Sequence, residues 1–538
     1  MKPLKTISLK QKLRSLLLLV SLFAVADLAL AQETLRVALP GEPETLDPHR
    51  YNLRLEETLL NELFLGLTTF DAHGGIVPGA AQSWTTSEDG LVWTFNLQRN
   101  LSWSDGKPLN AHDFVYAYRR LQDPNTAASL AYFMYMLKNA AAINTGKMPL
   151  DSLGANAIDD YTLALTLEKP YPFLLERLLY PTAYPVPRHV IEQHGKLWTK
   201  PQNWVSNGAY TLSDWIPRAH IDMSENEHFA QPGAIKNLRY IPVTSEQTAY
   251  NRFRSGELDV IGAFPIGELE NLREQRPDEL RISNLLSMMY LVFNTQRPPF
   301  DDVRVRQALS LAVDQTIITD KVLKTGSLPA HSFAPALIAD YDAFELPHKD
   351  APFSERQNKA RQLLKQAGFA DGLEITLRHI NGLENKKVNL AIGGMWKAIG
   401  VNVKLQQADI RGHFADLRQG SFDVAWAGWV GENNAEHYLS LLQSDIGNVN
   451  YGRFDNKTFD DVMAQVQLTK DVRPRNELLR TAEEIATHFY PVVPLYTTAV
   501  RSLVNNNIDG WFNNGRDMHQ ARYLSWRKIT QTRRKIWA

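Results

Sequence analysis

The stretch Gly90–Arg120, GLVWTFNLQRNLSWSDGKPLNAHDFVYAYRR, decides the fold because it combines aromatic residues, turn residues and charges in a distinctive order. Across Val92–Leu97 the side chains alternate between two faces, which predicts a β-strand. Ser104-Asp105-Gly106 supplies turn residues, so we expect this strand to belong to a twisted hairpin. Asn110 then caps a helix that begins near Ala111. These elements predict local structure and assign no function.

Five further motifs follow a fixed order along the chain. They are Thr45-Leu46-Asp47-Pro48-His49, Val77-Pro78-Gly79-Ala80-Ala81-Gln82-Ser83-Trp84, Ser206-Asn207-Gly208-Ala209-Tyr210, Ser255-Gly256-Glu257-Leu258-Asp259 and Pro298-Pro299-Phe300-Asp301-Asp302-Val303-Arg304-Val305-Arg306-Gln307-Ala308-Leu309. With the first stretch, they resemble the family 5 solute-binding proteins of ABC importers. Within this family the chain is most similar to the periplasmic oligopeptide-binding proteins, including the murein-tripeptide branch. The matching motifs run from about Glu33 to Tyr523.

The resemblance implies an α/β fold arranged as a bilobal periplasmic-binding-protein clamshell of type II, similar to cluster C, with an additional domain. It implies a discontinuous lobe I at 32–64, 189–290 and 505–538. Domain II is expected at 65–188 and lobe III at 291–504. Several chain crossings between lobes explain why no Gly/Ser-rich or Pro-rich linker marks a boundary.

One part of the chain predicts its architecture from local pattern alone. Ser354 and Gln357 form a predicted capping box at the start of an amphipathic helix. Three apolar strand patterns then alternate with two helices, at 373–377, 386–399, 401–405, 413–418 and 422–429. This order predicts parallel strands with crossover helices. Ligands bind beyond the carboxyl ends of such strands, so the strand ending at Trp429 is expected to point into a cleft.

The first 31 residues predict a secretory signal peptide. Five basic residues and one acidic residue accompany an apolar run from Leu16 to Leu30. We expect cleavage after Ala31, and the alternative is an N-terminal membrane anchor. Removal leaves 53 basic and 58 acidic residues, a balance that favours no nucleic-acid partner. The absence of cysteine excludes disulfides and a lipid-modified cysteine, and we expect a periplasmic chain. No later segment approaches the roughly 18 to 20 uninterrupted apolar residues of a membrane span, so no direct membrane insertion is expected.

The resemblance also implies a ligand site. In the oligopeptide-binding members, an acidic side chain after a Gly-Trp pair receives the ammonium group of an extended peptide. The matching segment is Gly428-Trp429-Val430-Gly431-Glu432, with glutamate where the family pattern has aspartate. Because a buried cation needs an opposite charge, Glu432 is the predicted amine anchor beside Trp429, Val430 and Gly431. The alternative is an ordinary solvated loop acid.

The basic side chains that meet the peptide carboxylate in the family are missing. Their positions are matched by Trp426, Leu417, Asn385 and Leu323. We therefore expect a ligand end that is apolar, amidated or modified, or a carboxylate that binds elsewhere, for instance at Arg54 or Lys386. A one-residue gap would instead bring Arg418 to the basic position.

Four further residues are candidate ligand contacts. Asn52 and Arg54 match a stretch that runs beside the ligand backbone, with a solvated loop as the alternative. Tyr290 and Trp426 are predicted contacts that could equally be core residues, because aromatic residues in strands often face a core.

Transport is the predicted function: the lobes close on a short peptide or peptide-like ligand, and the closed monomer docks on an inner-membrane ABC permease. The alternatives are a receptor for a murein fragment, nickel chelate or haem, and a periplasmic chaperone or signalling receptor. An enzyme is not expected, because Ser104-Asp105-Gly106-Lys107 places a Ser-x-x-Lys match in a turn, whereas an acylating serine begins a helix. His189, Glu192 and His194 do not match a known zinc spacing, so no metal or other cofactor is expected.

Overall fold

Three sheets organise residues 34–527, the part of the chain that the computed structural model describes. The predicted signal peptide, 1–31, lies outside the described residues. The strands are β1 Thr34–Leu39, β2 Thr68–Phe70, β3 Ile76–Pro78, β4 Ala81–Thr86, β5 Val92–Leu97, β6 Ala155–Asp159, β7 Thr162–Thr166, β8 Tyr210–Ile216, β9 His220–Glu225, β10 Asn237–Pro242, β11 Val260–Ile261, β12 Leu280–Asn284, β13 Ser287–Phe293, β14 Leu328–Pro329, β15 Leu373–Ile380, β16 Val401–Ala408, β17 Val424–Val430, β18 Val492–Thr497, β19 Ala499–Val504, β20 Ile508–Asp509 and β21 Ser525–Trp526.

The α-helices alternate with these strands. They are α1 Arg54–Leu63, α2 Ala111–Gln122, α3 Ala140–Asn144, α4 Leu174–Arg177, α5 Arg188–His194, α6 Glu246–Arg254, α7 Leu269–Gln275, α8 Val303–Leu311, α9 Phe353–Gln366, α10 Leu383–Lys397, α11 Ile410–Gln419, α12 Glu436–Leu439, α13 Lys457–Leu468 and α14 Val472–Phe489. Within the described part of the chain, no helix is long and apolar enough to cross a membrane.

Two large sheets form the two lobes. The seven-stranded sheet has the order β12-β19-β11-β1-β10-β9-β8, and the six-stranded sheet has the order β14-β18-β13-β17-β15-β16. A separate four-stranded sheet, β4-β5-β7-β6, forms the centre of domain II. One apolar core joins the seven-stranded and four-stranded sheets, whereas the six-stranded sheet has a core on each face. The α/β class and the bilobal arrangement with an additional domain are confirmed.

Two neighbouring crossings connect the lobes. The chain passes from β12 to β13 through Leu285, and from β18 to β19 through Thr498. The backbone N–H of Leu285 donates to the Thr498 carbonyl at 2.9 Å, and the hydroxyl groups of Ser287 and Thr498 lie 2.7 Å apart. Crossings held together in this way can bend as one hinge.

Sheet membership corrects two of the expected boundaries. β19 was expected in lobe III, but it pairs antiparallel with β11 and β12 of the seven-stranded sheet. β13 begins at Ser287, inside the stretch expected for lobe I, and pairs with β17 and β18 of the six-stranded sheet. The crossing segments carry no turn or linker residues, so the apolar pattern runs through them without a visible break.

The parallel segment predicted within lobe III is present. β15 pairs in parallel with β16 along its whole length and with β17 at Leu377 and Arg378. Helices α10 and α11 make the crossovers. One detail differs: α9 begins at Phe353 after Pro352, so Ser354 lies inside the helix and does not cap it. The fixed φ of proline makes Pro352 a suitable residue for the helix entry.

The opening motif is partly corrected. Trp93, Phe95 and Leu97 face the core as the alternation predicts, and the Asn110 side chain accepts from the His112 N–H at the start of α2. However, β5 pairs with β4, which precedes it, and with the distant β7, and not with the residues that directly follow the turn at 103–107. The turn at 103–107 closes only a single bridge, between Ser102 and Pro108.

Two of the remaining motifs join separate parts of lobe I and domain II. Asp259 accepts three hydrogen bonds from Arg36 on β1, at 2.7–3.0 Å. The Asn207 side chain bonds both the N–H and the carbonyl of Leu65. Motif residues far apart in sequence therefore set the packing of the elements that they connect.

Replacing Gly208 with alanine is expected to lower the free energy of unfolding by roughly 1–3 kcal/mol. A Cβ atom there would lie 2.4 Å from the Leu63 carbonyl carbon and 2.5 Å from the Glu62 oxygen, so the backbone must move. Chemical denaturation measures the change. Gly394→Ala is the control, because that Cβ meets nothing within 4 Å and helix α10 should gain up to ~1 kcal/mol. Equal effects of the two substitutions would contradict this account.

Candidate functional site

The carboxyl end of β17 brings four of the predicted ligand residues together. Trp429 is half-buried, Val430 is 64% exposed, and Gly431 leads into Glu432, which is 1% exposed. Gly431 cannot carry a side chain, because its Cβ would lie 2.6 Å from the Tyr438 ring. The chain therefore turns sharply after the exposed Val430 and buries the carboxylate of Glu432.

One edge of β17 is open near this end. β13 pairs with all of β17, from Phe293–Val424 to Ser287–Val430. Within residues 34–527, β15 pairs with the other edge only at Val424 and Ala425. The Trp426 carbonyl points to that edge and accepts from His413 Nε2 at 2.8 Å. Alternation places the backbone groups of Gly428 on the same edge, where another extended segment can pair with them.

Arg177 holds the Glu432 carboxylate. Its Nη2 lies 3.0 Å from Glu432 Oε1 and also donates to the Tyr171 hydroxyl at 3.3 Å. The carboxylate oxygens lack the alignment of a hydrogen bond, so the contact is chiefly one of charge. The alternative that Glu432 is a solvated loop acid is wrong, because helix α4 of domain II covers it.

Burial controls the charge states beside Glu432. It raises the pKa of Glu432 to about 7, although the Arg177 guanidinium opposes the shift. It lowers the pKa of His437 to about 4, and Arg177 adds to this effect. His437 is therefore neutral at pH 7, and its Nδ1 accepts the backbone N–H of Glu432 at 3.1 Å. The ring also packs edge-on against Trp429.

Glu176 connects this strand end to lobe I. Its Oε1 accepts from the Asn433 backbone N–H at 2.7 Å and from Arg516 Nη2 at 2.6 Å. Arg54, at the first position of α1, donates to the carbonyl oxygens of Arg516 and Asp517. Arg54 is thus connected, through Arg516 and Glu176, to the backbone of Asn433 next to Glu432.

Asn52 lies beside Arg54 at the exposed start of α1. Its backbone N–H donates to Glu56 Oε2 at 2.8 Å, and its amide donates to the Arg50 carbonyl at 3.3 Å. Arg54 is half-exposed and pairs with Glu57 at 3.1 Å. Both side chains can reach a ligand near the helix entry, and this contact stays a prediction.

An apolar cavity of about 380 Å³ opens beside this helix entry. Leu55, Val37 and Trp511 form part of its wall, with Arg54 and His519 among the polar residues. His519 stacks on Trp511 with ring centroids 3.8 Å apart. The cavity can accept an apolar ligand group next to the Arg54 guanidinium.

Trp426 and Trp429 lie on opposite faces of the six-stranded sheet, because their positions on β17 differ by an odd number. Trp426 packs with Met289 and Tyr496 in one core. Tyr290 is buried in the other core, edge-on against Phe333. Both side chains thus occupy core positions, and their contact with a ligand stays a prediction.

The residues at the positions predicted to lie near the ligand's carboxylate are spread over several elements. Asn385 lies in the first turn of α10, and Arg418 is exposed at the end of α11, where its carbonyl accepts from Arg453. Leu323 and Leu417 are buried in apolar cores. Arg418 therefore offers an exposed guanidinium at the surface, while the two leucines offer no charge to a ligand.

One signal for Arg177 lies in the sequence outside the motifs. Glu176 and Arg177 are adjacent charges inside the apolar segment Phe173-Leu174-Leu175-Glu176-Arg177-Leu178-Leu179. Charged residues in such a segment are buried only when paired. Their partners lie more than 200 residues away, so no local pattern could identify them.

Among the described residues, no group of three or more histidine, cysteine, aspartate or glutamate side chains is arranged to hold a metal ion. The near match His189, Glu192 and His194 lies on α5, where Glu192 pairs with Arg188 and His189 with Asp105. These side chains have separate partners.

Comparison with known proteins gives a consistent result. Residues 75–449 match the model of the bacterial extracellular solute-binding proteins, family 5. The periplasmic oligopeptide-binding protein OppA of Salmonella typhimurium is 36% identical over 480 residues, which is 88% of each chain. A probable deoxycholate-binding periplasmic protein of Escherichia coli, YgiS, is 34% identical and covers 93% of this chain and 96% of its own.

The fold is also similar to a solved structure whose conformation and ligand state are known. The unliganded open form of the periplasmic murein tripeptide binding protein MppA superposes with a TM-score of 0.85 at 33% identity. The match covers 92% of this chain and 97% of that chain. The two lobes are therefore arranged much as they are in that structure.

Proposed function

The chain belongs to family 5 of the bacterial extracellular solute-binding proteins, and from this premise we propose that it is the receptor of an ABC importer. It captures a short peptide or peptide-like ligand between its lobes in the periplasm. The closed, monomeric form delivers the ligand to an inner-membrane permease. The chain performs no catalysis and requires no cofactor.

The open edge of β17 is the observation that carries this proposal. An extended peptide that pairs with the backbone at Gly428 would gain hydrogen bonds that are independent of its side chains. The exposed Val430 and half-buried Trp429 lie at the same strand end. Backbone pairing at this edge suits a receptor that accepts peptides of varied sequence.

Hinge closure supplies the transport step. The similarity to an open, unliganded neighbour and the paired crossings at Leu285 and Thr498 support a hinge between the sheets. A ligand shifts the chain to a closed form only through contacts that are better in that form. A ligand that contacts β17 of lobe III and, at the same time, Asn52 and Arg54 of lobe I would meet this condition.

A second candidate is a receptor for an amphipathic non-peptide acid. Three observations favour it: the similarity to the probable deoxycholate-binding protein, the apolar cavity beside Arg54, and the lack of cations at Trp426, Asn385 and Leu323. An acid of this kind would place its carboxylate at Arg54 and its apolar body in the cavity.

Calorimetric titration of ligand-free protein separates the two candidates. The ligands are trialanine, N-acetyl-trialanine, both peptides with the central amide N-methylated, and deoxycholate. We expect at least one trialanine form to bind, and N-methylation to weaken it about tenfold, because one hydrogen bond contributes roughly 1.4 kcal/mol. Binding of deoxycholate without either peptide would reject the peptide proposal in favour of the second candidate.

A further inference from the structure

The guanidinium of Arg177 occupies a cation site made of two aromatic rings, a hydroxyl group and a carboxylate. Its guanidinium carbon lies 5.0 Å from the centre of the Phe133 ring and 5.9 Å from that of Tyr180. The Tyr171 hydroxyl accepts from it at 3.3 Å, and the Glu432 carboxylate lies 3.0 Å away. Aromatic faces together with a carboxylate form a strong environment for a cation. Here the cation belongs to the protein itself.

Two further ion pairs surround this one, and the cluster is neutral when all three glutamates are ionised. The three pairs are Arg177–Glu432, Arg516–Glu176 and Arg475–Glu436. Each side chain in these pairs is at most 16% exposed. Arg475 also faces the Phe173 ring at 5.5 Å. Residues of lobe I, domain II and lobe III thus balance one another's charges before any ligand arrives.

A ligand ammonium group would disturb this balance. If it joined Glu432 beside Arg177, the cluster would hold one buried positive charge without a partner. If it displaced Arg177, the guanidinium would lose its carboxylate, its hydroxyl acceptor and its ring contacts. Either change leaves a buried charge without its partner, which is strongly unfavourable.

We propose that Arg177 takes the place of the ligand's ammonium group as the counter-ion of Glu432, so the ligand end that meets β17 is uncharged. This inference rests on the proposed peptide-receptor function and narrows its ligand class. The preferred ligands are N-blocked peptides or peptide-like molecules without an amine at that end. Arg177 is a specificity-determining residue in this account.

The test compares N-acetyl-trialanine with trialanine on the wild type and on Arg177→Met. The wild type should bind the acetylated peptide at least about tenfold more tightly. Arg177→Met frees the carboxylate, so trialanine should become the tighter ligand. Arg177→Lys keeps the charge and should keep the preference for the acetylated form.

Arg188→Met is the matched control, because Arg188 is 61% exposed and forms its ion pair with Glu192 on its own helix. It should leave the preference unchanged. If Arg177→Met does not fold, the wild type and Arg177→Lys still decide the question. Equal or tighter binding of trialanine by the wild type would overturn the inference while leaving the peptide receptor intact. Failure of both peptides to bind any protein would overturn the proposed function itself.

Discussion

Replacing Arg120 with leucine is expected to lower the free energy of unfolding by about 3–5 kcal/mol, because it leaves a buried carboxylate without its partner. Arg120 ends the Gly90–Arg120 stretch, and its guanidinium contacts both oxygens of Asp47, at 2.6 and 3.0 Å. It also contacts His49 Nδ1 at 2.9 Å. Burial opposes ionisation of Asp47, yet Arg120 and His49 hold the pKa of Asp47 below its usual value.

Arg239→Leu provides the matched control for this substitution. Arg239 also binds both oxygens of an aspartate, Asp222, but the pair lies at the surface, with Arg239 44% exposed. Its loss should cost at most about 1 kcal/mol. Chemical denaturation at pH 7 measures both variants. Asp47 belongs to lobe I and Arg120 to domain II. Similar losses for the two variants would show that the burial of Asp47 does not determine how strongly this ion pair joins them.

Glu483→Ala is the second substitution with a large expected effect, a loss of at least about 3 kcal/mol. The fully buried carboxylate on α14 accepts from the backbone N–H groups of Ala334 and Phe344, both at 2.8 Å. The Tyr341 hydroxyl donates to it at 2.6 Å. Alanine would leave two buried donors and one partly buried donor unsatisfied, at roughly 1–3 kcal/mol for each buried one. Glu477→Ala, at an exposed position of the same helix, should change stability by less than ~0.5 kcal/mol.

The same carboxyl group predicts a pH dependence. Burial raises the pKa of Glu483 to about 7 from the ordinary value of 4.5, against the opposing hydrogen bonds. The folded chain therefore holds the proton more tightly than the unfolded chain. The resulting stabilisation is complete below pH 4.5 and is lost as the pH rises through 7. Glu483→Gln cannot titrate, so its free energy of unfolding should fall less steeply between pH 5 and 8. An unchanged slope would contradict the raised pKa.

The sequence predicted the fold well where the signal was local or lay in motifs. The alternation at Trp93, Phe95 and Leu97 and the cap at Asn110 follow from neighbouring residues alone. The strand partners of β5 could not be predicted in the same way, because pairing with β4 and β7 depends on packing between distant residues. The crossing at Thr498 was missed for a similar reason, since one residue there separates two apolar strands.

The candidate site, like the fold, could be predicted only in part. The resemblance located Glu432 at the carboxyl end of a strand, and the structure places it there. What the sequence could not supply was the partner, because Arg177 lies 255 residues earlier and belongs to a different domain. The glutamate was therefore predicted to be a free anchor or a solvated acid, and it is a buried member of an ion pair.

Native mass spectrometry of the protein isolated from periplasm, with release and sequencing of whatever is bound, identifies the natural ligand and so tests the proposed peptide receptor. We predict that the bound masses are short peptides or peptide-like molecules, and that an N-blocked end predominates among them. A bound haem, a metal chelate or a ligand without amide bonds would contradict the account, because none of these could use the open edge of β17 as a peptide backbone does.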